Sequence, residues 1–194
     1  MHCSEIGQIN CDMIYSTHRN FVSDTALRSI NDELYNSPGW IFRTNFWRYY
    51  LAPGLRAYNE TDPNSWYGNQ NIMEKLSLPW QRLFERVQDL AGPQFVIQRY
   101  ALTGQTQQQQ QTLHYDTSKD LVGDFRSYLI YLNDKWHSSQ GGATYFVNEH
   151  NQSHLEFPEP GKLVEFNSQM LHCGNPPEVS NLLRLTLVIH GQLR

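Results

Sequence analysis

The chain of 194 residues has few cysteines, only Cys3, Cys11 and Cys173, at irregular spacing. An odd cysteine count of this kind argues against a disulfide framework and indicates a reducing, cytoplasmic environment. The N-terminus lacks the basic region and the apolar run of a signal peptide, and no stretch approaches the roughly 18 apolar residues of a membrane span. We therefore expect a soluble cytoplasmic protein without a membrane partner.

The sequence also lacks a strong excess of either charge. Fifteen basic residues stand against 19 acidic ones, for a formal net charge of −4, which gives no support to nucleic-acid binding. Near the N-terminus His2, Cys3, Cys11 and His18 could be imagined as a metal cluster, but their spacing matches no zinc pattern. We therefore expect neither a nucleic-acid partner nor a zinc site.

Residues 1–92 read as helical and aromatic support for a core that follows. One helix is predicted to begin at Ser23-Asp24 and to end at Ser37-Pro38-Gly39, and a second to run from Leu78-Pro79 to Ala91-Gly92-Pro93. Between them, residues 40–51 are dense in aromatic side chains and predict one or two strands. The length fits a single domain over residues 1–194.

A polar loop rich in structure-breaking residues covers Asn59 to Asn71, with Trp66 and Tyr67 near its middle. One interpretation is a surface loop that two aromatic rings pin to the body of the protein. The other is a lid over a substrate cleft, because long loops often carry binding groups. The sequence leaves both open.

From residue 93 to residue 192, turn signals separate about eight short apolar segments. This pattern predicts a mainly β protein whose two N-terminal helices pack on one sheet. A double-stranded β-helix, which is the jelly-roll or cupin-like core, fits this count. Such a core brings residues that are distant in sequence together at the mouth of one barrel.

A His-x-Asp pair, His114 and Asp116, is followed far downstream by His172. Alternate residues of an extended strand point to the same side, so His114 and Asp116 can both face inward. Two histidines and one carboxylate form the facial triad that binds non-haem Fe(II) and leaves coordination positions open. His-x-Asp alone is a weak signal, because such pairs occur by chance. The sequence that follows His172 strengthens the assignment.

After His172 comes the loop Gly174-Asn175-Pro176-Pro177, and then Arg184 opens the apolar run Arg-Leu-Thr-Leu-Val-Ile. A buried guanidinium without an anionic partner is costly. A carboxylate that meets the planar guanidinium with both oxygens is the natural partner. Arg184 is therefore a candidate carboxylate-binding residue.

Taken together, five segments resemble the Fe(II)/2-oxoglutarate-dependent dioxygenases, in particular their prolyl-hydroxylase-like branch. The resemblance covers roughly residues 93–192. The segments are His114-x-Asp116, Ile130-Tyr131-Leu132-Asn133-Asp134-Lys135-Trp136, Gly141-Gly142-Ala143-Thr144, His172 and Arg184-Leu185-Thr186.

The resemblance implies that His114, Asp116 and His172 hold Fe(II) and that Arg184 binds the far carboxylate of 2-oxoglutarate. It implies that Tyr131 and Thr186 assist Arg184 and that Tyr100 points into the cavity, although a packing role for Tyr100 fits the residues equally well. The implied reaction consumes O2, releases succinate and CO2 and hydroxylates a C–H bond, with ascorbate as a reductant. The carboxylate at position 116 favours hydroxylation, because related halogenases have a small residue there.

The substrate class implied by the resemblance is a prolyl residue of a peptide, a free amino acid or another small molecule. Candidate contacts are Arg48, Arg56, Trp66, Tyr67 and Arg126, each of which could also be a surface or packing residue. The run Gln107 to Gln111 is interpreted as a solvated, mobile loop tip that leads into the His-x-Asp pair. The alternative is a segment folded over the active-site mouth.

Two other functions compete with the oxygenase. A cupin-type metal enzyme that does not use 2-oxoglutarate would leave Arg184 unexplained. A non-catalytic jelly-roll binding module would make His114 and His172 incidental. Metal content and succinate release distinguish the three.

Overall fold

The computed structural model describes residues 14–36, 40–43, 48–51 and 76–194. Within these ranges the chain forms ten strands, two α-helices and one short 3-10 helix. The helices are α1 (Asp24–Tyr35), α2 (Leu78–Ala91) and the 3-10 helix Ser138–Gln140. The strands are β1 (Ile14–His18), β2 (Trp40–Arg43), β3 (Arg48–Leu51), β4 (Phe95–Gln105), β5 (Asp124–Tyr131), β6 (Thr144–Val147), β7 (Ser153–Glu156), β8 (Leu163–Asn167), β9 (Leu171–Gly174) and β10 (Arg184–Leu193).

Local sequence signals set the ends of both α-helices. The side chain of Ser23 caps α1 by accepting a hydrogen bond from the backbone of Ala26. Pro79 stands in the first turn of α2, where its missing N–H has no intrahelical partner to lose. Gly92, with a φ of 87°, ends α2 in a backbone conformation that favours glycine. These boundaries agree with the sequence prediction.

The strands form two antiparallel sheets. The larger has seven strands in the order β1-β8-β5-β10-β4-β3-β2, and the smaller has three in the order β7-β6-β9. Strands β2, β3 and β4 are neighbours in sequence and in the larger sheet, whereas from β5 to β10 the chain crosses repeatedly between the two sheets. This arrangement confirms a mainly β fold with N-terminal helices, as predicted.

Each face of the larger sheet has its own hydrophobic cluster. On one face the helices pack against alternate strand residues, and this cluster includes Leu27, Ile30, Trp80, Phe84, Val87, Tyr100, Tyr128, Ile130, Leu187 and Ile189. On the other face, toward the smaller sheet, lie Leu129, Tyr131, Phe146, Val164 and Phe166. Because strand side chains alternate, β5 contributes Tyr128 and Ile130 to the first cluster and Leu129 and Tyr131 to the second.

The face toward the smaller sheet is organised in rows by strand register. Thr186 of β10 pairs with Tyr131 and Thr103, and His190 pairs with Ser127 and Arg99. Residues of one row share a face, so these side chains lie on the side that carries the predicted site.

The structure differs from the sequence prediction at three places. The edge strand β1 and the strand β7 were not predicted, because both are short and mixed in polarity. The His-x-Asp segment was expected to be a strand, but it forms a single bridge between His114 and His172. The segment then turns away, because the amides of Asp116 and Thr117 both donate to the carbonyl of Ser168.

Candidate active site

His114 and His172 are joined through their backbones. The amide of His114 donates to the carbonyl of His172 at 2.9 Å, and the reverse bond is 3.0 Å. This bridge brings the two imidazole rings to a centroid distance of 4.5 Å. The turn into His114 and the short strand β9 thereby place two histidines, distant in sequence, side by side.

Backbone carbonyls fix the tautomer of both rings. The Nδ1 atom of His114 lies 3.0 Å from the carbonyl oxygen of Thr112, and that of His172 lies 2.9 Å from the carbonyl oxygen of Met170. A carbonyl only accepts, so each Nδ1 must carry the proton. Each Nε2 therefore keeps its lone pair, which is the form that binds a metal.

Asp116 completes the group. Its carboxylate oxygens lie 3.8 Å from His114 Nε2 and 3.5 Å from His172 Nε2, and ligand atoms of all three residues fall within 4.8 Å of one another. Two lone pairs and a carboxylate that converge in this way repel each other, and a divalent cation between them removes the repulsion. The N, N, O donor set fits the Fe(II) of a facial triad.

A buried network holds the Asp116 carboxylate from behind. Ser127 Oγ donates to Asp116 Oδ2 at 2.8 Å and shares hydrogen bonds with Ser168 Oγ at 2.8 Å and His190 Nδ1 at 2.9 Å. His190 Nδ1 is itself 3.3 Å from Asp116 Oδ2. Arg99 donates to the Asp116 backbone carbonyl. The carboxylate is therefore fixed in orientation before any metal binds.

Electrostatics keep this carboxylate ionised. Burial by itself raises the pKa of Asp116, but His190, His172, His114 and the Ser127 hydroxyl outweigh it and hold the pKa well below its usual range. Burial lowers the pKa of His190 to about 4, so that imidazole is neutral near pH 7. Asp116 thus offers a negative charge to a cation at neutral pH.

Arg184 is a second candidate for ligand binding, and it is 3% exposed. Its Nε donates to the carbonyl of Gly142 at 2.6 Å, and its Nη2 donates to Thr144 Oγ1 at 2.8 Å. Thr144 Oγ1 is 2.7 Å from the hydroxyl of Tyr131, whose ring centroid lies 5.3 Å from the guanidinium carbon. Tyr131 in turn donates to the carbonyl of Glu156 at 2.9 Å. The guanidinium is therefore held rigidly.

The metal-ligand candidates and Arg184 contact rows of the smaller sheet that are two strand residues apart. Phe146 of β6 pairs with His172, and Thr144, two residues earlier, pairs with Gly174. Two residues of a strand span about 7 Å, which sets the separation of these two rows. A short dicarboxylic acid can therefore reach from a metal at the histidines to the guanidinium of Arg184.

Residues predicted for the co-substrate pocket divide between the two faces of the larger sheet. Thr186 lies in the same row as Tyr131, and its hydroxyl is 2.8 Å from that of Thr103. Tyr100 faces the helices instead, where its ring packs edge-on against Phe84 at 5.2 Å. The expectation that Tyr100 points into the cavity is therefore wrong. Beyond the register shift between Ile97 and Arg99, the odd-numbered residues of β4, such as Thr103, occupy the site face.

Of the five substrate candidates, the structure describes the side chain of Arg126. Arg126 lies on the helix face of β5, with its guanidinium 3.0 Å from Asp124 and 2.7 Å from Glu165, so the structure does not place it at the site. Arg48 belongs to β3. Trp66 and Tyr67, like Arg56, lie outside the described residues.

Sequence reasoning missed Ser127, Ser168, His190 and Thr144. The alternation of β5 already placed Ser127 on the same face as Tyr131, and this was the signal available for it. His190 stands at the end of an apolar run and gave no sign of its proximity to Asp116. Only the register of β10 against β5 brings His190 opposite Ser127.

Residues 95–190 match the family model described as the 2OG-Fe(II) oxygenase superfamily. The chain belongs to this superfamily. The oxygenase is thus an enzyme of the dioxygenase (hydroxylase) type, and the family uses Fe(II), 2-oxoglutarate and O2. A search of curated protein sequences gives no match. Among the described residues, neither helix has the length and apolar character needed to cross a bilayer.

Solved structures share the fold of this oxygenase. A prolyl-4-hydroxylase of Pseudomonas putida superposes with a TM-score of 0.60 at 16% identity, covering 92% of both chains. A prolyl hydroxylase of Trichoplax adhaerens, solved with a hypoxia inducible factor peptide, gives 0.59 at 17% identity over 91% of this chain and 82% of that one. A viral collagen prolyl hydroxylase from Paramecium Bursaria Chlorella virus-1 gives 0.53 at 14% identity over 95% and 99%.

Proposed function

We propose that the oxygenase holds Fe(II) through His114, Asp116 and His172 and binds the far carboxylate of 2-oxoglutarate at Arg184. The substrate is a prolyl residue of a peptide or an amino-acid-like small molecule. The observation that carries this proposal is the convergence of the two histidine side chains and the Asp116 carboxylate, two strand residues away from the row that contacts the buried Arg184 guanidinium.

The protein residues prepare the site for one geometry. Thr112 and Met170 carbonyls orient the imidazoles, and Ser127 orients the carboxylate, so all three donors are in place without rearrangement. When bound, the iron with 2-oxoglutarate and O2 supplies an oxidant for a C–H bond, and succinate and CO2 are released. Preorganised donors lower the cost of assembling the site.

Apolar side chains close the inner wall behind His172. The ring of Phe166 lies 4.9 Å from that of His172 and the ring of Phe146 lies 5.8 Å from it, both by centroid distance. Phe146 is fully buried and Phe166 is almost so. This wall excludes water on the side of the metal that faces the core, which strengthens the electrostatic interactions there.

The opposite side is open to a substrate. One third of the His114 side chain is exposed, whereas His172 is buried. Leu113 and Tyr115 flank His114 and are 46% and 40% exposed. A substrate that approaches here meets apolar surface, which suits a prolyl ring better than a highly charged group. The peptide in the Trichoplax relative supports a peptidyl substrate.

Further parts of the proposal concern the setting. We take residues 1–194 as one oxygenase domain with its β core over 93–192 and with residues 1–92 as support. We propose a cytoplasmic location, where reducing conditions favour ferrous iron, and ascorbate as the reductant that restores it.

Succinate release tests the function. The purified protein is incubated with Fe(II), ascorbate, O2 and 2-oxoglutarate, with a His172→Ala variant as the matched control. Succinate from the wild type and none from the variant is the expected result. Bound metal without 2-oxoglutarate turnover would favour a cupin-type enzyme, and failure to bind metal would favour a binding module.

The substrate is identified by mass. Prolyl peptides and free amino acids are offered in parallel, and products are examined for the gain of one oxygen atom. We expect this gain on a prolyl ring, with one succinate formed for each hydroxylation. Succinate without oxygen gain in any member of either set would contradict the proposed substrate class while leaving the oxygenase assignment intact.

A further inference from the structure

The glutamine run before His114 is docked against the protein. Gln109 and Gln111 are each 8% exposed, and Gln107 donates to the carbonyl of Glu178 at 2.7 Å. The expectation of a solvated, mobile tip is therefore wrong for the two buried members. Gln107 and Gln111 contact the segment that follows the ligand His172, whereas Gln109 is hydrogen-bonded to Thr106 and Gln105.

Two glutamine side chains hold Gly174 by both of its backbone groups. The amide of Gly174 donates to Gln111 Oε1, and its carbonyl accepts from Gln105 Nε2 at 2.9 Å. Gln105 Nε2 also donates to the carbonyl of Gln109 at 2.5 Å. Gln105 is 1% exposed, so these contacts are shielded from water.

The Gln111 side chain replaces a missing backbone hydrogen bond between residues 112 and 174. In an antiparallel pair that contains the mutual bonds of His114 and His172, the next hydrogen-bonded pair joins residues 112 and 174. The carbonyl of Thr112 accepts from His114 Nδ1 instead. The amide of Gly174 donates to the Gln111 side chain, which supplies the acceptor that residue 112 would provide in a regular antiparallel pair.

The same contacts form a wall beside Arg184. A Cβ atom on Gly174 would lie 2.8 Å from Gln111 Oε1, 3.1 Å from Arg184 Nη1 and 3.3 Å from Gln105 Oε1. A larger residue at 174 would therefore force the ends of these three side chains to shift. Within the part of the chain that the structure describes, Gln105 Oε1 has no hydrogen-bond partner.

We propose that Gln105 and Gln111 are positioning residues that shape the carboxylate end of the 2-oxoglutarate pocket by holding Gly174 against Arg184. The inference rests on the proposed role of Arg184. It assigns Gln105 and Gln111 a function in co-substrate binding, because these two side chains tie the chain before one ligand histidine to the chain after the other.

Co-substrate binding to Gln111 variants tests the inference. The wild type and variants are loaded with Mn(II) in place of iron, and 2-oxoglutarate binding is measured by calorimetry. In Gln111→Ala the amide of Gly174 loses its acceptor, and we expect the Kd for 2-oxoglutarate to rise about tenfold or more, as loss of a buried hydrogen bond can produce. The Kd for Mn(II) should change less than about threefold, because the metal donors keep their own partners.

A conservative variant separates positioning from folding. Gln111→Glu retains an oxygen that accepts from Gly174, so its unfolding temperature should stay near that of the wild type. Its carboxylate would stand beside Arg184 and compete with that of the ligand, so 2-oxoglutarate should still bind more weakly. The exposed neighbour supplies the control, since Gln110→Ala should leave both affinities unchanged.

Hydrogen exchange gives a readout that does not involve a ligand. The Gly174 amide should be protected in the wild type and should exchange faster in Gln111→Ala. Free exchange of this amide in the wild type, or wild-type affinity for 2-oxoglutarate in both Gln111 variants, would overturn the inference alone. Failure of the wild type to bind 2-oxoglutarate would instead overturn the proposed function together with it.

Discussion

Removal of the Ser127 hydroxyl should weaken metal binding although Ser127 is not a ligand. This hydroxyl is fully buried and donates to Asp116 Oδ2 at 2.8 Å. It also meets Ser168 and His190 within 2.9 Å. In Ser127→Ala the carboxylate loses a charge-assisted hydrogen bond and is free to rotate away from the histidines.

The expected magnitude follows from these contacts. Loss of a group that orients a metal ligand typically costs 10–100-fold in metal affinity, or about 1.4–2.7 kcal/mol. The variant also leaves the buried Ser168 and His190 groups with fewer partners, at a cost of about 1–3 kcal/mol of folding stability. In a chain of this size, each kcal/mol lowers the unfolding temperature by about 2–4 °C.

Anaerobic titration with Mn(II) or Fe(II), followed by calorimetry, measures the first effect, and thermal unfolding without metal measures the second. Ser153→Ala is the matched control, since Ser153 is exposed on β7. Unchanged metal affinity in a folded Ser127→Ala protein would refute the view that this hydroxyl orients Asp116. Absence of metal binding by the wild type would refute the metal site itself.

Three further results are expected. Arg184→Ala should raise the KM for 2-oxoglutarate about 100-fold or more and that for iron much less, because bonds to a charged group contribute about 1.5–3 kcal/mol each. The exposed Arg82→Ala is the control. An equal increase in both KM values would contradict the role of Arg184 in carboxylate binding. Tyr131→Phe should raise the KM for 2-oxoglutarate several-fold and Tyr100→Phe should leave it unchanged, which steady-state kinetics would show; the opposite order would mean that the cavity lies on the helix face. Lys162→Met should reduce the free energy of unfolding in urea by about 1–3 kcal/mol, because the partly buried Glu156 loses its bond to the buried Lys162 and keeps only its contact with His154. That deficit should shrink as the pH falls below the ordinary glutamate pKa of 4.5, since the pKa of the paired glutamate is lowered in the fold and its contribution is lost by protonation; a deficit independent of pH would argue against the ion pair.

The residues of the site fall into groups that differ in how far sequence could predict them. Residue type and order in the chain indicate the chemistry of the candidates predicted from the sequence, which are His114, Asp116, His172 and Arg184. Tyr100 and Tyr131 look equivalent as aromatic residues in apolar strands, yet they face opposite sides of one sheet. The face on which each tyrosine lies depends on the register of its strand against the neighbouring strands. The sequence of one strand does not encode that register.

The sequence alone determined the fold class, the ends of both helices and the identity of the metal and carboxylate candidates. These depend on local periodicity, capping residues and residue chemistry, all of which are read within a short window of the chain. Only the tertiary structure decided that His190 and Ser127 support Asp116, that Thr144 joins Arg184 to Tyr131, and that the glutamine run is held at Gly174. Each of these depends on long-range register, because hydrogen bonds between distant segments exist only after the sheets have paired.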